Sequence, residues 1–172
     1  MKRLLLIPAA IACLAVPAVH AAPSDLYREN VLYKGTTSKG NDCLGESRLS
    51  SAPCLMRVVP GKDRKRLVFS LRQSERCSDG ETYRWEFGRY FGKGTHPIQP
   101  DGSFRRRIGV RIDLGDGHSK GTLWVKGRFF RTEGGAYRAS GTLRSVTTKV
   151  SADGSRSTCR SGLVEYTLRP RS

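Results

Sequence analysis

Arginine side chains are the residues of this sequence best suited to chemistry with a partner. Arginine outnumbers lysine 22 to 9 among the 31 basic residues, and 15 acidic residues oppose them, which leaves a formal net charge of +16. A planar guanidinium group can form paired hydrogen bonds with phosphate and carboxylate groups, whereas a lysine ammonium acts as a point charge. The predicted anion-binding arginines lie in two clusters, namely Arg64 and Arg66 in the first and Arg105, Arg106, Arg107 and Arg111 in the second.

The second cluster lies in the clearest strand pattern of the chain. Apolar residues recur at alternate positions between 104 and 114, and the side chains of a β-strand point alternately to its two faces. The face opposite the apolar residues therefore carries three of the arginines, namely Arg105, Arg107 and Arg111. Arg106 falls on the apolar face near the strand end. There it would hold an anion, pair with a carboxylate such as Glu86 or Glu165, or turn to solvent through a β-bulge.

Two aromatic residues of the following strand are candidates for stacking against a sugar or a base. Apolar residues alternate between 123 and 129, so Trp124 and Phe130 fall on the opposite face. Lys126 and Arg128 share that face. An aromatic ring beside cations is typical of sites that stack sugars or bases.

Residues that could perform catalysis are sparse. The sequence contains no nucleophile elbow, zinc-binding helix or phosphate-binding loop motif. His96 and His118 are both predicted to be exposed turn residues. Asp113 and Asp116 lack the alternating oxygen ligands and the final Glu of a calcium loop. We therefore predict no enzyme, no catalytic residue, no cofactor and no metal site.

The cysteines predict an oxidised, exported domain. Cys43, Cys54, Cys77 and Cys159 remain if an N-terminal leader is removed, and an even number in an exported chain favours two disulfides. Cys43 with Cys54 and Cys77 with Cys159 is the preferred pairing among the three possible. A zinc site is the alternative, but no two cysteines have the close spacing that structural zinc sites usually show.

The N-terminal residues predict a cleaved export signal. Lys2 and Arg3 precede an apolar run over 4–16, and small residues follow up to Ala21, which is the order of a secretory signal peptide. Cleavage is predicted between Ala21 and Ala22, with the mature protein in the periplasm or outside the cell. A lipidated Cys13 is the weaker alternative, because the apolar stretch before it is very short. The predicted organisation is a signal peptide over 1–21, a flexible segment over 22–30 and a single disulfide-stapled β domain over 31–172.

The rest of the chain predicts strands. Apolar residues alternate in short runs separated by Gly, Pro, Asp and Asn, and no window shows helical spacing. We predict about eight strands, near 31–36, 54–59, 67–71, 83–87, 104–114, 123–129, 137–143 and 164–168. The short turns between them predict an all-β fold with a single antiparallel meander. A closed β-barrel is the preferred architecture because closure removes the edge strands, and a two-sheet β-sandwich is the alternative.

Several turn and strand segments carry a resemblance to a known group of proteins. They are YKGTTSKG at 33–40, CSDG at 77–80, DGSF at 101–104, ASGTL at 139–143 and CRSG at 159–162. On these segments the chain resembles an uncharacterised group of small exported bacterial all-β, barrel-like proteins. The resemblance implies a fold and no catalytic residue. The loop between Cys43 and Cys54 is not part of the shared pattern.

Export, charge and rigidity together predict a binding module for an anionic envelope or extracellular component. The predicted partners are an anionic glycan, a phospholipid or lipopolysaccharide head group, or an acidic protein, and nucleic acid is less favoured. The first alternative is a secreted inhibitor or interaction protein that docks an acidic partner. The second is a hydrolase acting on an anionic polymer, for which the sequence offers no acid–base set. We predict a monomer without a transmembrane segment in the mature chain.

Overall fold

The protein folds into β-strands joined by turns. A computed structural model describes residues 25–40, 54–62, 67–87, 98–114 and 117–171. These residues contain no α-helix, and none of their segments forms a helix long and apolar enough to cross a lipid bilayer. The strands are β1 (Tyr33–Thr36), β2 (Leu55–Pro60), β3 (Leu67–Cys77), β4 (Thr82–Phe87), β5 (Ser103–Leu114), β6 (Gly117–Arg131), β7 (Tyr137–Ser151), β8 (Arg156–Arg160) and β9 (Val164–Pro170).

The all-β prediction is confirmed, and one strand was missed. β8 has the sequence RSTCR, in which only Cys159 is buried. Apolar alternation could not reveal such a strand because it has almost no apolar residues. Its backbone is nevertheless paired on both sides, to β7 and to β3, so hydrogen bonding to neighbours defines the strand.

The pairing order corrects the prediction of a single meander. The strands follow the order β4-β3-β2-β1-β9-β7-β6-β5, and all pairs are antiparallel. The last strand, β9, therefore inserts between β1 and β7. In a single meander closed into a barrel, β9 would instead pair with β8, the strand before it in the chain.

A ring of hydrogen bonds joins six of the strands. β8 pairs with both β3 and β7, which closes the circuit β3-β2-β1-β9-β7-β8. β4 extends this ring from β3, and β6 and β5 extend it from β7. The two long hairpin strands β5 and β6 therefore form a flank of the sheet, with β5 at its edge.

The core has an aromatic end. The Phe129 ring lies 5.1 Å from the centroids of both Tyr27 and Tyr33 and 5.2 Å from that of Phe104. Such tilted and edge-on contacts are preferred over face-to-face stacking. Tyr27 is buried although it lies in the segment predicted to be flexible, 22–30. The packed domain therefore begins before residue 31, because Tyr27 completes the aromatic cluster.

The opposite end of the interior is polar. Gln73 and Glu75 of β3 are buried there, as are Ser145 and Thr147 of β7. The Gln73 Nε2 group donates a hydrogen bond to Ser145 Oγ. Hydrogen bonds of this kind offset the cost of placing polar groups out of water.

A disulfide lies at this polar end. The predicted pair Cys77–Cys159 is confirmed, and its two residues are directly opposed on β3 and β8. The bond closes a loop with a sequence separation of 82, for which chain entropy predicts a stabilisation of roughly 4 to 5 kcal/mol. Cys54 is buried and disulfide-bonded. Cys43 lies outside the described residues, so the predicted pair Cys43–Cys54 stays a prediction.

Candidate functional site

The strands β5, β6 and β7 form a continuous ladder with two chemically distinct faces. Each residue of β6 as far as Arg128 is paired with one residue of β5 and one of β7. Arg128, for example, is opposite Ser103 of β5 and Ser140 of β7. The odd-numbered residues of β6 and β7 turn to the core, where Leu123, Val125, Phe129, Ala139 and Leu143 are buried. We call the opposite side, made by odd-numbered residues of β5 and even-numbered residues of β6 and β7, the outer face.

The outer face is strongly basic. Along the described strand positions it carries eight cationic residues, which are Arg105, Arg107, Arg111, Lys120, Lys126, Arg128, Arg138 and Arg144. Among these described positions of the outer face, one is acidic, Asp113. Its Oδ1 atom lies 3.2 Å from Arg111 Nε. Exposed ion pairs are weak, and this one leaves most of the cations without an acidic neighbour on their own face.

A tryptophan lies between two arginines at the centre of this face. Trp124 is opposite Arg107 on β5 and opposite Arg144 on β7. The guanidinium carbons lie 5.8 Å and 4.8 Å from the ring centroid, within the distance over which an aromatic face attracts a cation. The two flanking strands therefore hold two guanidinium groups against one half-buried ring.

These two guanidinium groups have no carboxylate partner in the described parts of the chain. Two ion pairs of the described residues join Arg111 to Asp113 and Lys149 to Glu81, and neither includes these arginines. Arg107 and Arg144 are exposed, so their N–H groups can donate hydrogen bonds to an anion from solvent. Contact with the ring restricts their rotamers, and less side-chain entropy is then lost when an anion binds.

A hollow of about 470 Å³ surrounds Trp124. We call it the Trp124 hollow, and Arg105, Arg107, Lys126, Arg144 and Leu163 are among its lining residues. A groove of about 960 Å³ continues from it and shares Arg105, Lys126 and Thr142 with it. The groove adds Arg128 and the hydroxyl groups of Ser103 and Ser140. Cations, hydroxyl donors and apolar surface thus line one connected depression.

Arg106 lies on the core side, as the sequence alternation predicts. It pairs with Val125 in a one-to-one ladder, so no β-bulge turns it to solvent. Glu165, one predicted partner, lies at an exposed position of β9 between the buried Val164 and Tyr166. The side chain of Glu86, the other one, lies outside the described residues.

The guanidinium group of Arg106 is incompletely hydrogen-bonded. Its Nε and Nη1 atoms are buried, and the described residues offer them no acceptor. Desolvation by burial lowers the pKa of this guanidinium from its ordinary value. Buried donors without acceptors cost free energy, so an anion that reached Arg106 would be stabilised there.

Several predicted residues have other environments than expected. His118 is a half-buried residue of β6 opposite Asp113, whereas the sequence predicted an exposed turn. Phe130 is half-buried on the outer face. Stacking of a ligand on Trp124 or Phe130 stays a prediction, and the contacts shown on the Trp124 ring are those of arginines. Arg64, Arg66 and His96 lie outside the described residues.

Sequence reasoning missed two residues of the site. Arg144 faces outward because Leu143, its neighbour, is buried, and the alternation of β7 could have placed it beside Trp124 once the register was known. Leu163 follows β8, the strand that was not predicted, so its position could not be inferred.

Comparison with known proteins adds no functional assignment. No protein-family model matches the chain, and no curated protein is significantly similar to it. The resemblance to small exported bacterial proteins therefore stays a prediction. In the described ranges, no group of three or more His, Cys, Asp or Glu side chains is arranged to hold a metal ion.

Proposed function

We propose that this protein is a binding module for an anionic component of the cell envelope or the extracellular medium. The ligand lies on the outer face of β5, β6 and β7, across the Trp124 hollow and the adjoining groove. Phosphate, sulfate or carboxylate groups of the ligand accept hydrogen bonds from the guanidinium groups. The hydroxyl groups of Ser103 and Ser140 contact its polar parts.

One observation carries the proposal. The guanidinium groups of Arg107 and Arg144 are held against Trp124, and within the described residues neither has a carboxylate partner. A basic surface that served only solubility would not need to orient its cations. Charge-assisted hydrogen bonds from oriented guanidinium groups are about twice as strong as neutral ones.

The proposal includes a finer architecture and a location. The hydrogen-bonded ring supports a closed β-barrel with β5 and β6 as a flank, in place of a two-sheet sandwich. The Cys77–Cys159 disulfide supports an oxidising compartment. Together with the predicted leader, it favours export to the periplasm or beyond.

The direct test is the salt dependence of binding to dextran sulfate, a soluble polyanion. The affinity is measured by calorimetry between about 50 and about 300 mM salt, which brackets the physiological ionic strength. The logarithm of the association constant is expected to fall linearly with the logarithm of the salt concentration, with a slope of about −2 or steeper. The double variant R107Q/R144Q is expected to bind roughly 30-fold more weakly and with a slope shallower by about two.

The matched control is R169Q/R171Q, which removes the same charge at the end of β9 and beyond it. It is expected to lower affinity by about threefold or less, because it changes only the long-range field. Equal losses in the two double variants would overturn the proposed site. A tight complex with an acidic protein that survives high salt, without dextran sulfate binding, would favour the protein-docking alternative.

A further inference from the structure

Leu163 is the large apolar side chain that the described part of the chain exposes, at 69% of its full accessibility. The turn around it is fixed by hydrogen bonds. Ser161 N–H donates to Ser145 O at 3.1 Å, and Ser145 N–H donates to Ser161 Oγ at 2.8 Å. Gly162 follows with a φ of +70°, which glycine adopts without steric cost. Val164 is then fully buried. The exposure of Leu163 thus results from a pinned turn.

The surroundings of Leu163 combine apolar and cationic groups. Leu163 lines the Trp124 hollow together with Arg107 and Arg144. Isolated apolar residues on a surface are common and need no explanation. Here the exposed leucine adjoins an aromatic ring and two guanidinium groups that have no acidic partner in the described ranges. A purely polar polyanion would gain nothing from Leu163, whereas an alkyl chain would bury its surface there.

We infer that the Trp124 hollow takes a lipid bearing a phosphate or sulfate group, with the head group on Arg107 and Arg144 and the alkyl chain against Leu163. The inference rests on the proposed function and names the ligand class of the same site. A hollow of about 470 Å³ falls in the size range of small-molecule sites. It accommodates one head group and the first part of one chain.

The test compares dodecyl phosphate with ethyl phosphate, both as monomers below the critical micelle concentration. Each methylene group removed from water strengthens binding about fourfold. Burial of two or more methylene groups therefore makes dodecyl phosphate bind at least about tenfold tighter by calorimetry. The variant L163S is expected to lower dodecyl phosphate affinity by about five- to tenfold, a larger loss than for ethyl phosphate, which has little chain to bury.

Val150→Ser is the matched control. Val150 is a half-buried residue on the same face of β7, outside the lining of the hollow. V150S is expected to bind dodecyl phosphate as the wild type does. R107Q/R144Q is expected to bind both phosphates more weakly, because the head group loses its donors.

Two results would overturn the inference. One is equal affinity for the two phosphates, which would identify a free phosphate-type ligand. The other is unchanged dodecyl phosphate binding by L163S. In both cases, binding of dextran sulfate by the wild-type protein would leave the proposed function standing. A wild-type protein that binds none of the three ligands would reject the proposed function itself.

Discussion

The inner and outer faces of β5, β6 and β7 use the same three strands for different purposes. On the inner face, buried residues pack around the Phe129 ring. On the outer face, a ring of the same class, Trp124, is half-buried and carries two arginines. Arg106 and Arg107 are neighbours in sequence, yet one is on each face. The side of the ladder, more than the residue type, therefore decides whether a side chain is buried in the core or remains open to solvent.

The largest expected difference between the faces is in aromatic truncation. Phe129→Ala removes a fully buried ring that contacts three other rings, so the free energy of unfolding is expected to fall by about 3 to 5 kcal/mol. Trp124→Ala is expected to cost about 1 kcal/mol, because its half-buried ring contacts two arginines outside the core. Urea denaturation measures both values. Similar losses in the two variants would show that Trp124 belongs to the core.

The second difference concerns Arg106 and Arg107. Arg106→Met removes buried donors that lack acceptors in the described residues, so the free energy of unfolding is expected to rise by about 1 to 2 kcal/mol. Arg107→Met is expected to change it by no more than about 0.5 kcal/mol. A destabilised R106M would mean that the Arg106 guanidinium has a stabilising partner.

Replacing arginine by lysine separates guanidinium geometry from charge on the outer face. R107K/R144K keeps the net charge but loses the planar fork and much of the contact with Trp124. Its affinity for dextran sulfate is expected to fall by about fivefold, a free-energy change of about 1 kcal/mol. Calorimetry against the wild type measures it. An unchanged affinity would reduce the outer face to an unspecific positive field.

The smallest effect is expected at the turn that leads into β5. Asp101 Oδ1 accepts a hydrogen bond from Ser103 N–H at 2.9 Å, and this bond holds the pKa of Asp101 below its usual 3.8. A lowered pKa in the folded state stabilises the protein above the unfolded-state pKa, and the contribution disappears as the pH falls through the folded-state value.

Asp101→Asn keeps an acceptor oxygen but does not titrate. The difference in unfolding free energy between wild type and D101N is therefore expected to be constant above about pH 5 and to shift against the wild type below pH 3.8. Urea denaturation at a series of pH values measures it. A difference that does not change with pH would show that the carboxylate charge contributes nothing at this turn.

Much of the fold could be predicted because apolar alternation is a local signal. It located eight strands, and it assigned Arg105 and Arg107 to one face of β5 and Arg106 to the other. Strand order is a long-range property. Nothing in the composition of β9 indicates that it inserts between β1 and β7, since each antiparallel edge offers the same backbone groups.

The site was predictable only in part for the same reason. Alternation placed Trp124 outward, but the contacts with Arg107 and Arg144 depend on the register of three strands. The pairing of Cys77 with Cys159 could be favoured from sequence, whereas its position at the closure of the hydrogen-bonded ring depends on β8, a strand with few apolar residues.

An NMR titration of the ¹⁵N-labelled protein with short-chain dextran sulfate tests the central claim most directly. The largest shifts are expected at the Trp124 indole N–H and at the amides of β5, β6 and β7 around Arg107 and Arg144. Amides of β2 and β3 are expected to change little. Shifts concentrated on β1 to β4, with the Trp124 indole unchanged, would contradict the assignment of the binding site to the outer face.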